Sequence, residues 1–234
     1  MLLLNLQVKY FYMKKLLSTV TITVHEKLYV KDPTTSELGK KIIEHSILLI
    51  DDIGFDDFTF KKLGERIHSN ESSIYRYFEN KHKLLLYLSS WYWAWIEYRL
   101  VFETNNISDA RKRLMKAITI VTEKITDDSN TVYINEAILN KIIISEFNKT
   151  WLTKEIDEEN KIGFFLVYKR VIKRITDMIL AVNPSYEYAT SLASSIIEGA
   201  LHQHYLVEHL STITDCNEHQ TPTAFYLNLI EKIV

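Results

Sequence analysis

Between Thr59 and Lys83 the chain reads TFKKLGERIHSNESSIYRYFENKHK, and its polar groups are of the kinds that bind a nucleic-acid duplex. Arg76 can pair with guanine O6 and N7 or hold a phosphate, the hydroxyls of Tyr75 and Tyr77 suit phosphate oxygens, and the small Ser72 and Ser73 permit close approach to base edges. At helical spacing Ile74 and Phe78 define an inner side, Arg76 and Ser72 lie nearly opposite, and Ser73, Tyr75 and Tyr77 flank them. Lys61 and Lys62 fall in the first turn of a preceding helix capped by Thr59. The helix dipole disfavours cations there by about 0.3–1 kcal/mol each, and a phosphate docked at that helix start would account for them.

These groups need two short helices and a tight turn to present them. Phe60, Leu63 and Ile67 give the first helix an inner face, His68, Ser69 and Asn70 form the turn, and Asn70 can cap the second helix. A longer helix should precede both. Thr34 with Glu37 reads as a capping box, Leu38, Ile42, Leu49 and Ile53 follow with Ile43, Ile47 and Ile50, and Gly54 ends the run. Together these predict a three-helix helix-turn-helix domain spanning residues 34–82, a DNA reader by its form.

At 234 residues with 47% apolar content, the chain can bury a sizeable core. Scarce Gly and Pro (5 and 3) and helical periodicity predict an all-α body. The net charge of −2 gives no general attraction to nucleic acid, and residues 36–83 hold eight Lys/Arg against nine Asp/Glu. The charges segregate: Asp51, Asp52, Asp56 and Asp57 gather at one bend, while Lys61, Lys62, Arg76, Lys81 and Lys83 lie in or beside the motif. Residues 1–33 read as an N-terminal extension, either a frayed tail or, from Leu17 to Val30, an alternating strand, with Met13 a possible start. Its apolar stretch is too short and too interrupted by lysines to span a bilayer, and it lacks the small-residue cleavage site of a signal peptide.

The stretch Ile42 to Leu86 resembles the N-terminal domain of the TetR family of transcriptional regulators. The resemblance rests on Gly54-Phe55, Thr59, Leu63-Gly64, the run Ile74-Tyr75-Arg76-Tyr77-Phe78, and Lys81. It implies a recognition helix over Ser72 to Phe78, backbone grip by Tyr75, Tyr77 and Lys81, a homodimer on an operator, and a small-molecule inducer held by the C-terminal domain. Three positions depart from the family's pattern: His68 stands where the turn commonly has Gly, Ser69 where it has an apolar residue, and Glu71 near a small or basic one. The alternative is a TetR-like fold that binds a small molecule or a protein and has lost specific DNA binding.

Residues 83–234 read as the helical bundle for ligand binding and dimerisation. A long helix from Lys81 to about Glu103 carries Trp91, Trp93 and Trp95, which cannot all share one face. Helices are predicted from Ser108 to Ile125, Thr131 to Phe147, Glu155 to Val182, Ser185 to Leu210 and Thr223 to Ile233. Trp91, Trp95, Tyr98 and Tyr168 are the candidates to line an inducer site. Small residues on the last two helices favour close packing of two copies, through Leu192, Ile196, Gly199, Ala200, Phe225 and Leu229.

No catalytic grouping stands out: there is no Ser-His-Asp arrangement, glycine-rich phosphate loop or paired carboxylates. His202, His204, His209 and Glu208 are too spread along their helix for one compact metal site. The single Cys216 excludes an internal disulfide and favours a reducing compartment, the cytoplasm. The sequence therefore predicts a non-enzymatic regulator without cofactor or membrane segment.

Overall fold

The computed structural model describes residues 22–126 and 133–234, and the described residues form an all-α protein without strands. The α-helices are α1 (Glu37–Asp57), α2 (Phe60–Arg66), α3 (Glu71–Tyr75), α4 (Lys81–Thr104), α5 (Ala110–Thr122), α6 (Glu136–Glu146), α7 (Asn148–Trp151), α8 (Ile156–Ile162), α9 (Leu166–Val182), α10 (Ala189–His209) and α11 (Pro222–Ile233). Two compact units emerge. One takes the chain up to Trp91 together with Ile125–Ile142, and the other Tyr92–Lys124 with Ile143–Val234. The division falls inside α4, later than the expected boundary at residue 83, and the residues from Leu84 to Trp91 are buried.

In the first unit α2 packs on both α1 and α3, with Ile42, Ile47, Phe58, Leu63, Ile74 and Phe78 almost completely buried. Gly54, at φ 76°, interrupts α1 where a stop was predicted, although a last turn runs on to Asp57. The N-cap of α1 is Ser36, which accepts from the Gly39 amide at 3.1 Å. Thr34 is instead the middle of a 3-10 turn capped by Asp32, since the proline ahead of it opens that turn first. The part of the predicted strand that is described, from Ile22 on, is not a strand: Glu26–Leu28 form a 3-10 turn. Leu28 is 1% exposed, so the extension is packed from that point rather than frayed. The remainder of the strand prediction and Met13 lie outside the described residues.

In the second unit α5 is the hub, packed on by α9, α10 and α11. Leu114, Ala117, Ile118 and Val121 form its inner face. The segment predicted as one helix from Glu155 to Val182 is two, separated at Gly163, whose φ of 105° lies in the left-handed region that glycine alone adopts freely. At Gly199 of α10 an added Cβ would stand 2.0 Å from the Tyr226 hydroxyl, so this small residue serves the packing of α11 within the protomer. No helix among the described residues is long and apolar enough to cross a membrane.

Candidate nucleic-acid interface

The helix-turn-helix is built by side chains that hold backbone. Thr59 caps α2 by accepting from the Lys62 amide at 3.2 Å. The turn folds back so closely that a Cβ on Gly64 would lie 2.7 Å from the Ser69 carbonyl oxygen, and the Ser69 amide donates to the Gly64 carbonyl at 2.9 Å. His68 takes the left-handed conformation, φ 54°. That explains why glycine is the usual occupant there, because a side chain costs about 1–2 kcal/mol in this region. Asn70 then caps α3: its Oδ1 accepts from the Ser73 amide at 2.9 Å and from the hydroxyls of Ser72 and Ser73 at 2.8 and 2.6 Å.

Helix α3 is shorter than the predicted Ser72–Phe78 span, ending at Tyr75, with Arg76 as its C-cap at φ −70° and ψ −17°. Arg76, Ser72, Lys61 and Lys62 are exposed, Ser73 is half-buried, and Tyr75 is 48% exposed with its ring edge-on to Phe60 at 5.0 Å. Among the described residues neither Lys61 nor Arg76 has a carboxylate partner. Lys62 Nζ donates to the Asp57 carbonyl at 2.8 Å, and Arg66 is paired with Asp52. Glu71 serves its own helix: it occupies the first turn, where the dipole favours an acid, and its charge acts on Tyr75. The Tyr75 phenol is raised above its ordinary value, first by desolvation and then by the Glu71 charge.

Of the nine expected DNA contacts, Tyr77 and Lys81 are the two turned into the protomer. Tyr77 is 4% exposed, and its hydroxyl shares a 2.8 Å hydrogen bond with Ser36. Its carbonyl accepts from the Val30 amide at 2.8 Å, and the Lys31 ammonium lies 5.2 Å over its ring. Tyr77 thus clamps the segment entering α1. The Lys81 ammonium donates to the carbonyls of Phe55, Asp56 and Phe58 at 3.0, 2.9 and 3.1 Å and stands 4.9 Å over the Phe55 ring. It caps the end of α1. Ser36 had no role in the sequence reading, and its place in the Ser/Thr-rich stretch ahead of α1 is the signal that would have found it; Lys31, one of the arm lysines that could have touched DNA backbone, lies instead over the Tyr77 ring.

The four aromatic candidates for an inducer site do not converge. Trp91 is buried in the first unit. In the second, Trp95 lies under the Arg99 guanidinium at 5.2 Å, and Tyr98 stacks on Phe102 at 5.9 Å. Tyr168 joins Trp93, Phe147 and Trp151 at 4.8, 5.3 and 5.9 Å, and its hydroxyl donates to Glu198 at 2.9 Å. Of the residues expected at a dimer contact, Ile196 and Ala200 are core, 0% and 1% exposed, because this face of α10 turns inward. Phe225 is 47% exposed, while Leu192, Gly199 and Leu229 are half-buried. His204, set aside as a metal ligand, is buried with Nε2 2.7 Å from the Thr122 carbonyl. Burial holds its pKa below the usual histidine value, and the Lys124 charge adds to this, although the Thr122 bond acts the other way.

Residues 42–88 match the family model of the bacterial regulatory proteins of the tetR family. Over that segment the chain is similar to the N-terminal domain of the tetR family, in keeping with the helix-turn-helix geometry of α2 and α3. Among solved structures it is similar to AibR in complex with isovaleryl coenzyme A and operator DNA, TM-score 0.56 at 14% identity, over 83% of this chain and 97% of that one. Apo AibR gives TM-score 0.52 at 14% identity over 83% and 97%, and the superantigen PfiT 0.55 at 14% over 82% and 94%. At this identity the likeness describes fold alone. Curated proteins give no match.

Proposed function

We propose that the chain is a ligand-responsive repressor that binds operator DNA as a homodimer in the cytoplasm. The observation that carries this reading is the α3 end: Ser72 and Arg76 are exposed on a capped recognition helix, and Arg76 is free of any carboxylate. Lys61 and Lys62 stand at the start of α2, where a phosphate gains from both the charges and the free amides. Thr59, Ser73 and Tyr75 complete the contact set, with Tyr77 and Lys81 fixing its shape. AibR, whose structure holds both a ligand and operator DNA, supports the pairing of the two activities on this fold. For the dimer, Phe225 with Leu192 and Leu229 supplies the apolar surface on α10 and α11.

The test is selection of the purified chain against random duplex DNA at low salt, followed by sequencing. A two-fold repeated motif with half-sites about one helical turn apart, or a multiple of it, is the expected outcome. A pool that stays random would end the reading.

A further inference from the structure

In the second unit two adjoining cavities of about 200 Å³ each form one groove between the end of α4, the start of α5 and α9. Arg113, Arg174 and Met178 line both. Arg113 is held in place without being neutralised, and Arg174 only shares a carboxylate. Arg113 donates from Nε to the Ile107 carbonyl at 2.8 Å and from a terminal nitrogen to the Ser108 carbonyl at 3.2 Å. Neither partner carries charge, and the remaining guanidinium N–H groups are left unused. Arg174 gives only its Nε, to Glu97 at 3.0 Å. Glu97 is already gripped by Arg170 through contacts of 3.0, 3.0 and 2.7 Å, so one carboxylate serves two guanidiniums. Asp177, the acid that lines the groove, is paired with Lys173. The cluster of Arg113, Arg170, Arg174, Lys173, Glu97 and Asp177 therefore holds two positive charges in excess.

The apolar wall is as specific as the charge. Met178, half-buried, lines the groove with both arginines, and Leu100, fully buried, and Val101, 44% exposed, add to its wall. Arg113, fixed by two backbone carbonyls, and Arg174, fixed through Nε alone, each present free terminal N–H groups as a planar fork, the geometry that takes phosphate oxygens bidentately. A phosphate monoester carries about −1.5 to −2 charges near neutral pH, which meets this excess better than a carboxylate does. We infer that the Arg113–Arg174 groove binds an organic phosphate monoester, its phosphate between the two guanidiniums and a short apolar group on Met178 and Val101. This rests on the reading of the second unit as the ligand domain, and it assigns that domain's ligand a chemical class.

Hexyl phosphate is the probe, titrated calorimetrically into the full-length protein, with hexanoate, hexanol and inorganic phosphate in parallel. Saturable binding of hexyl phosphate, at least tenfold tighter than each of the other three, is expected. Arg174→Gln, at an exposed position, should weaken it at least tenfold. Arg113→Gln should do the same, with Arg113→Lys recovering part of the loss should the 107–108 loop loosen. Lys161→Gln, the same charge change on α8, should leave the affinity unchanged. No saturable binding of hexyl phosphate, hexanol binding as tightly, or unaltered affinity in Arg174→Gln overturns the assignment. A protein that selects an operator yet ignores hexyl phosphate loses the groove and keeps the regulator, so the two readings fail separately.

Discussion

Arg76 reaches solvent from the end of α3 with no carboxylate beside it, whereas the Lys81 ammonium is held by three carbonyl oxygens at the end of α1. Removing each should therefore do different things. Arg76→Ala is expected to relax preference at one base position by about 1–3 kcal/mol and leave the unfolding midpoint unchanged. Lys81→Met should lower stability by about 1–2 kcal/mol, because three carbonyls lose a charged donor. Denaturant unfolding alongside duplex binding separates them, and a Lys81→Met protein of native stability with weakened binding would restore Lys81 to direct phosphate contact. His204 gives a second test. Its folded pKa lies below the unfolded value near 6.5, so its contribution to stability is complete above pH 6.5 and declines as pH falls toward the folded pKa. His204→Gln should flatten the drop in unfolding free energy between pH 7.5 and about 5. An equally steep drop in that variant would place the pH dependence elsewhere.

At the scale of elements, the tight turn between α2 and α3 sets the angle at which the recognition helix is offered. Gly64→Ala would drive a methyl into the Ser69 carbonyl, so it should cost about 1–3 kcal/mol and weaken binding to every sequence alike. Thermal unfolding and binding to selected and random duplexes measure the two effects; a native midpoint would show that the turn can yield. Sequence made this motif legible because Thr59, Asn70 and the inward Leu63, Ile74 and Phe78 act locally, within a turn or two. What it did not reveal depends on contacts distant in the chain. The hydroxyl of Tyr77 meets Ser36, and Lys81 meets Phe55, so neither periodicity nor spacing announces that two polar side chains of the motif are engaged inside the protein. The break at Gly163 was local but lay between two strongly apolar helical patterns, which read as one. Gly199 looked like a contact for a second copy, and it is the phenol of Tyr226 that requires it.

For the molecule as a whole, the charges visible in the sequence overstate those available to a duplex. The chain is slightly acidic overall, and within the motif Arg66 is paired with Asp52 and Tyr77 covers itself with Lys31. The fastening of Lys81 to carbonyl oxygens carries a consequence in the counterions of the DNA. An ammonium already bound inside the protein displaces no cation from the duplex. Lys61 and Arg76 remain, and Lys62, exposed and held by one carbonyl alone, exchanges that contact for phosphate, so a dimer would neutralise about six phosphates, and the logarithm of its association constant should fall with the logarithm of salt concentration at a slope of about −5. Binding measured by anisotropy across a potassium chloride series reads that slope directly. A value near −9 would require about four further cations to leave their internal partners for the DNA.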